Sequence, residues 1–475
     1  MMAALWTRDD AVTATGGTPL GRPWTASGVA IDSRAVQPGD LFVALPGERT
    51  DGHDHVGQAL RAGAVAALVV RAPAGLADDA RLLVVPDPLA ALVALGHAAR
   101  ARSSARIAAV TGSVGKTGSK EMLAAALAAY GPTVASKGNL NNHIGAPLSL
   151  ARLDRQAAFA VFELGMNHPD EIRPLARMVR PHAALITNVE MVHAGFFTGI
   201  EQIADAKAEI LEGIEGGGAA VLNRDNGQFE RLAAHARRLA IARVVTFGTG
   251  APADARLLDA ASSADGTRVT AEIDGRRLSW TVGGIGRHWA INSLGVAATL
   301  HALGLDPSVG TAALAGVSAM RGRGGQVRLD LPDGPVTLID ESYNASPPAM
   351  RAALAVFAGT HPAAAGRRIV VLGDMLELGA TAAAAHRGLA EAVTAARPDA
   401  VFLVGPEMRA LAVALPATLV AGHAERSEDI AAAVAAAVTP GDVVLVKGSL
   451  GMRMKAIVTA IEALAASDRR AANGG

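Results

Sequence analysis

The segment Ile107-Ala-Ala-Val-Thr-Gly-Ser-Val-Gly-Lys-Thr-Gly-Ser-Lys120 carries the most specific chemistry in the chain. An apolar strand pattern enters a glycine-containing turn and leaves as the helical run Lys120–Ala129. That order aims backbone N–H groups and a helix N-terminus at a phosphate. Gly112, Ser113, Val114 and Gly115 would form the cradle, and Gly118 the first turn beyond it. Lys116 would reach the β- and γ-phosphates, and Thr117 would offer a hydroxyl to Mg²⁺. A strict phosphate loop has a glycine five residues before Gly115, where Val110 stands. The competing reading is a tight strand-to-helix turn with a surface lysine.

Ligands of parallel α/β sheets collect beyond the carboxyl ends of strands. Glu163 ends the strand pattern Phe159–Phe162, where a carboxylate could join a nucleotide's Mg²⁺ or cap the following helix. His193 lies past another strand end, as a ligand or a satisfied polar group. Lys207 sits in a helical stretch whose Ile203, Ile210 and Leu211 form one apolar face, and by default it is a solvated surface lysine.

These residues need strands and helices to position them. Short β-branched runs alternate with longer Ala/Leu-rich patterns, as βαβ units do. One block runs to about Ser103. A second opens with the strand Arg106–Val110, and its later strands are Phe159–Phe162, Ala183–Thr187, Ala219–Leu222 and Val244–Phe247. A third follows the Gly-rich segment Arg321–Gly325, with strands Val336–Ile339, Arg368–Leu372, Ala400–Val404 and Val443–Val446.

The 475 residues suit two to four domains, and a 50% hydrophobic content supplies their cores. Forty-four basic side chains balance 44 acidic ones, so no field draws in a nucleic acid. The absence of cysteine removes thiolate chemistry. Arg8, Asp9 and Asp10 interrupt the place of a signal peptide's apolar run, and no apolar stretch approaches the roughly 18–20 residues of a membrane span. A cytoplasmic protein is expected, and a monomer, since no heptad seam is visible.

Taken together, these segments resemble the Mur ligases, the ATP-dependent amide-forming enzymes of peptidoglycan precursor synthesis. Asp32-Ser-Arg34, Pro38–Gly47 and Asp51-Gly-His53 are similar to the family's uridine-nucleotide domain. Thr111–Thr117, Lys137–Pro147, Glu163–His168, Asn188–His193 and His288–Ser293 follow in collinear order. Then come Arg321-Gly-Arg323, Asp340–Pro348, Leu372–Gly379 and Lys447-Gly-Ser449. Tyr343–Pro348 and Gly373–Gly379 resemble the branch that adds D-alanyl-D-alanine. The Asp-Asn-Pro-Arg quartet of the diaminopimelate-adding branch does not occur. Gly118 replaces a common threonine, and Glu341 stands where aspartate is commoner.

The resemblance implies a three-domain α/β architecture. A small α/β UDP-substrate domain would span 1–103, a central P-loop parallel-sheet ATPase domain 104–320, and a C-terminal Rossmann-like domain 321–475. It implies ATP and two Mg²⁺ ions as cofactors, and UDP-N-acetylmuramoyl-tripeptide and D-alanyl-D-alanine as partners, joined through an acyl phosphate. Lys116, Glu163, His193 and Lys207 would be catalytic, with Thr117, Glu163, His193 and a carbamylated Lys207 on the metals. Asn292 would meet adenine, Arg321 or Arg323 phosphate, and Asp340 the ribose. Ser33, Arg34, Asn142, Tyr343, Asn344, Lys447 and Ser449 would bind the substrates, Arg34 being equally well explained as an ion-pair partner. The rivals are a P-loop kinase or NTPase, a nucleotide-binding scaffold, and a relative such as a folylpolyglutamate-type synthase.

Overall fold

The computed structural model describes residues 4–47, 50–74, 76, 81–191, 195–263, 265–363 and 365–472. Three large sheets follow one another along the chain, and Trp6–Thr7 pairs with Thr25–Ala26 within the first block.

The first sheet has five strands in the order Thr18–Leu20, Leu82–Val84, Ala66–Val69, Asp40–Val43, Gly28–Ala30. Only its first pair is antiparallel. The helix Pro88–Arg102 starts with Asp87, whose carboxylate accepts from the N–H groups of Leu89 and Ala90, and with proline at its first position.

The central sheet has nine strands. Arg243–Gly248, Ala219–Asn223, Ala183–Ile186, Arg106–Thr111, Phe159–Glu163 and Thr133–Ala135 run parallel in that spatial order. Both faces are covered, so the strands read as unbroken apolar runs rather than alternating ones. The period of two still sorts them: Ile107, Ala109 and Phe162 join one core, while Ala108, Val110 and Val161 join the other.

Beyond Arg243–Gly248 the sheet continues into strands that the apolar runs do not mark. Ala255–Ser263 pairs in parallel with Arg243–Gly248, and Gly266–Ile273 and Arg276–Val282 extend the sheet from it through antiparallel pairings. They are half-solvated and polar on alternate positions, which hid them from a search for short apolar runs. The third sheet has six strands in the order Gly325–Leu331, Gly334–Glu341, Val443–Lys447, Arg368–Gly373, Ala400–Val404, Val420–Ala424. Its first pair is antiparallel and the others are parallel. Among the described residues no helix is long and apolar enough to cross a membrane.

Candidate active site

The strand Arg106–Thr111 delivers the chain into the loop Gly112–Gly115, and the helix begins at Lys116, four residues earlier than the sequence pattern implied. Two glycines are sterically required. A Cβ on Gly112 would lie 1.9 Å from Thr187 Oγ1, and one on Gly115 would lie 2.8 Å from Asn292 Nδ2. Gly115 also has φ +83°, which favours glycine.

The loop is laced to the next strand end. Ser113 N–H donates to the Asn188 carbonyl, Val114 N–H to Asn188 Oδ1 at 3.0 Å, and Thr187 Oγ1 to the Val114 carbonyl at 2.7 Å. The Ser113 and Val114 amides therefore hold the loop's shape rather than face a ligand. The anion-seeking groups are the first-turn N–H groups of the helix, which carries no side-chain cap.

Lys116 Nζ donates to the carbonyls of Gly112 at 2.7 Å and Ser113 at 3.3 Å. Burial lowers its pKa, Glu163 opposes that shift and Arg323 adds to it. Glu163 is buried at the end of its strand; Oε1 accepts from Asn141 Nδ2 at 2.8 Å, and Oε2 has no hydrogen-bond partner.

Lys207 overturns the surface reading, with only 2% of it exposed. Burial chiefly, and Lys116 after it, push its ammonium well below the ordinary lysine range. The Glu163 carboxylate and the Thr117 hydroxyl suit an oxygen-liganded divalent cation, and the unpartnered Oε2 is the feature that fits one. Among the described residues no group of three or more His, Asp or Glu side chains is placed to hold a metal. His193 lies outside the described residues.

This corner opens into a cavity of about 780 Å³. The phosphate loop, Glu163 and Asn292 form one wall; Arg323, Tyr343, Asn344, Lys447 and Ser449 from the third sheet's loops form the other. Lys447 Nζ bridges Glu341 Oε2 at 3.0 Å and the Asn344 carbonyl at 2.9 Å. Arg323 stacks its guanidinium 3.8 Å from the centre of the Tyr343 ring.

The family profiles match in three consecutive stretches. The Mur ligase family catalytic domain covers residues 25–129, the Mur ligase middle domain 110–300, and the Mur ligase glutamate ligase domain 326–450. The UDP-N-acetylmuramoyl-tripeptide–D-alanyl-D-alanine ligase of Escherichia coli is 35% identical over 452 residues, covering 94% of this chain and 96% of its own. The chain belongs to the Mur ligase family. A crystal structure of MurF from Acinetobacter baumannii superposes with TM-score 0.82 at 28% identity, covering 96% of this chain and 99% of that one. MurF ligase from Thermotoga maritima in complex with ADP does so with TM-score 0.74 at 25% identity, covering 93% and 98%.

Not every predicted residue of this Mur ligase reaches the cavity. Asp340 turns its carboxylate to the N–H groups of Gly322 at 2.9 Å and Ser342 at 3.1 Å, pinning the turn before the third sheet. Arg321 is 71% exposed along its side chain and pairs with Glu462, so that of these two arginines Arg323 is the one lining the cleft. Asn142 accepts from the N–H groups of Ile144 and Gly145 at a helix start, while its neighbour Asn141 faces Glu163.

In the first block Arg34 forks onto Asp32, with Nε–Oδ1 at 2.9 Å and Nη2–Oδ2 at 2.7 Å. Ser33 is buried and donates to Gln58 Oε1 at 3.2 Å. Ser449 Oγ accepts from Leu376 N–H at 2.9 Å, holding the Gly373–Gly379 loop against the cavity.

The sequence reading missed Asn141, His288 and Ser346, which also line the cavity. Burial lowers the His288 pKa, Glu341 opposes this and Lys447 adds to it. Ser346 Oγ is buried without a partner. All three sit inside segments already singled out, but only the fold shows which side chain of each segment faces inward.

Proposed function

We propose that this Mur ligase joins D-alanyl-D-alanine to UDP-N-acetylmuramoyl-tripeptide, with ATP as phosphoryl donor, releasing ADP and phosphate. The observation that carries the reading is the cavity, with a phosphate loop on one wall and Tyr343, Asn344 and Lys447 on the other. The relatives that match over nearly the whole chain bear the name of that reaction.

In this reading residues 1–103 take the UDP-linked substrate, 104–320 ATP, and 321–475 the dipeptide. The protein works in the cytoplasm as a monomer. A carboxylate is a poor electrophile, so the peptide carboxylate first takes the γ-phosphoryl group to give an acyl phosphate and ADP. The dipeptide amine then adds to that carbonyl, and phosphate leaves.

Phosphoryl transfer depends mainly on positioning and on stabilising charge. Lys116 would leave the loop carbonyls for the phosphates. Arg323 would approach them from the other wall, with Asn292 on adenine. Asp340 would act on the ribose side through the turn it holds. Ser33 and Arg34 would contact the uridine nucleotide, and Asn142, Tyr343, Asn344, Lys447 and Ser449 the peptide substrates.

Thr117 and Glu163 would hold one Mg²⁺, and His193 with Lys207 a second. Bound there, Mg²⁺ would screen the repulsion between carboxylate and triphosphate. Burial favours a neutral Lys207 amine, the form that adds CO₂ and releases a proton to become a carbamate, which would supply oxygen ligands.

The experiment is phosphate release from ATP, Mg²⁺ and UDP-N-acetylmuramoyl-tripeptide, with and without D-alanyl-D-alanine. Release that requires both, with a pentapeptide product by mass, is the expected result. Release indifferent to the dipeptide would leave a P-loop kinase or NTPase.

A further inference from the structure

Lys120 is completely buried, yet no step above uses it. Its ammonium donates to the Ser136 carbonyl at 2.6 Å and pairs with Glu121 at 2.6 Å. A buried ammonium costs several kcal/mol unless its partners offset the lost water. An apolar side chain would fill the same space without that cost, so the partners matter.

Ser136 lies just beyond the edge strand Thr133–Ala135, and its N–H continues the ladder to the Val161 carbonyl at 2.9 Å. Its Oγ accepts from the backbone N–H of Glu163 at 3.1 Å. Lys120 thus holds the residue that holds the Glu163 backbone.

Asn141 secures the other end. Its Nδ2 donates to Glu163 Oε1 at 2.8 Å, and its carbonyl accepts from Gly165 N–H at 2.9 Å. A Cβ on Gly165 would lie 2.9 Å from Asn141 Cγ, so the amide is seated against a bare backbone. One carboxylate oxygen is therefore tied and the other, Oε2, is buried and unpartnered.

We propose that Lys120 and Asn141 are positioning residues that aim Glu163 Oε2, the first through Ser136 and the Glu163 backbone, the second through the carboxylate itself. The proposal rests on the reading of Glu163 as a Mg²⁺ ligand. Partners of this kind fix the orientation of a ligand, and losing one typically weakens metal binding by about 10–100-fold.

The test is calorimetric binding of ATP to the full chain in EDTA and in Mg²⁺, with thermal melting alongside, for the parent, Glu163→Gln, Asn141→Ala and Lys120→Met. The expected result is near-parental affinity in EDTA for Asn141→Ala and Lys120→Met. The tightening that Mg²⁺ brings should fall about 10–100-fold in all three variants. A variant whose role is only structural would lower the melting temperature and leave the Mg²⁺ response intact.

A parent or a Glu163→Gln chain whose affinity ignores the loss of metal or ligand sinks the metal reading of Glu163. Loss in Glu163→Gln with a full Mg²⁺ response in folded Asn141→Ala and Lys120→Met overturns the positioning proposal alone. Should Lys120→Met not fold, Asn141→Ala decides.

Discussion

The two seams of this molecule are built from opposite materials. Where the first block meets the central one, the core is continuous: Leu148 and Ala151 pack in one apolar cluster with Trp6, Leu92 and Leu95. Trp6 Nε1 donates to the Ala151 carbonyl at 2.8 Å, Arg102 lies 3.8 Å over the Trp6 ring, and Arg152 donates to the Val29 carbonyl at 2.6 Å. A Cβ on Gly96 would come within 3.3 Å of the Pro147 backbone, so the helices Pro88–Arg102 and Gly145–Ala151 touch closely.

Where the central block meets the third, the apolar clusters stop on either side. One ends at Leu314 and the next begins with Leu329. Between them lies the cavity, lined by polar and apolar groups alike and crossed by contacts such as Gly195 N–H to the Glu377 carbonyl at 3.0 Å. A shared core holds its parts at one angle, whereas a seam without one allows relative motion. The first seam holds its two blocks at a fixed angle; the second is free to open and close over the cavity.

The largest expected effect breaks the second seam's chemistry without touching the first. Lys116→Ala should lower turnover by about 10³-fold, as losing a main stabiliser of developing charge does. The melting temperature should stay near the parent's, because the lysine's bonds are to its own loop. Retained product formation would remove the phosphate-loop assignment.

Trp6→Ala attacks the first seam. It should cost about 3–5 kcal/mol in a denaturant titration, the range for deleting a fully buried aromatic. Enough folded protein at low temperature should still turn over, since Trp6 is absent from the cavity wall. A loss below about 1 kcal/mol would mean that the shared core does not hold this seam.

Within the second seam the two neighbouring arginines should separate. Arg323→Ala should weaken ATP binding by about 1.5–3 kcal/mol, the worth of bonds to a charged group. Arg321→Ala should change it by less than about 0.5 kcal/mol, because its exposed pair with Glu462 faces away. Equal losses would contradict the placement.

The smallest effect is at Asp32. Arg34 beside it holds the carboxyl at about 2, below the ordinary 3.8. A depressed folded-state pKa contributes stability that is present above the unfolded value of 3.8 and lost as pH falls through about 2. The pair is exposed, so Arg34→Ala should leave the melting temperature near the parent's while the Asp32 titration moves up in a carboxyl NMR measurement. An unmoved titration would show that the fork does not persist in solution.

Much of this contrast is invisible in the linear pattern, for identifiable reasons. Burial on both faces forces continuous apolar runs, so the half-exposed edge strands Thr133–Ala135 and Val420–Ala424 left no such mark while the inner parallel strands of all three sheets could be read. The antiparallel extension Ala255–Val282 could not, because its outer face is wet. Lys207 was hidden differently. Its helix shows one apolar face by spacing, yet the buried arc is wider and takes in Ala204, Ala206 and Lys207 itself. Asp340 and Asn142 stand in the right segments but spend side-chain oxygens on the backbone N–H groups of Ser342 and Gly145, a local competition common for Asp and Asn.

The sequence by itself determined the phosphate loop, the order of the α/β blocks and the residue types at the strand ends. Each of these follows from local sterics and period-two burial. Only the tertiary structure decided that Lys207 and Glu163 Oε2 are withdrawn from water, that Asn141 rather than Asn142 meets Glu163, and that Arg323 rather than Arg321 enters the cleft. Those outcomes depend on which side chains of distant segments converge on one volume, and spacing along a chain carries no record of that.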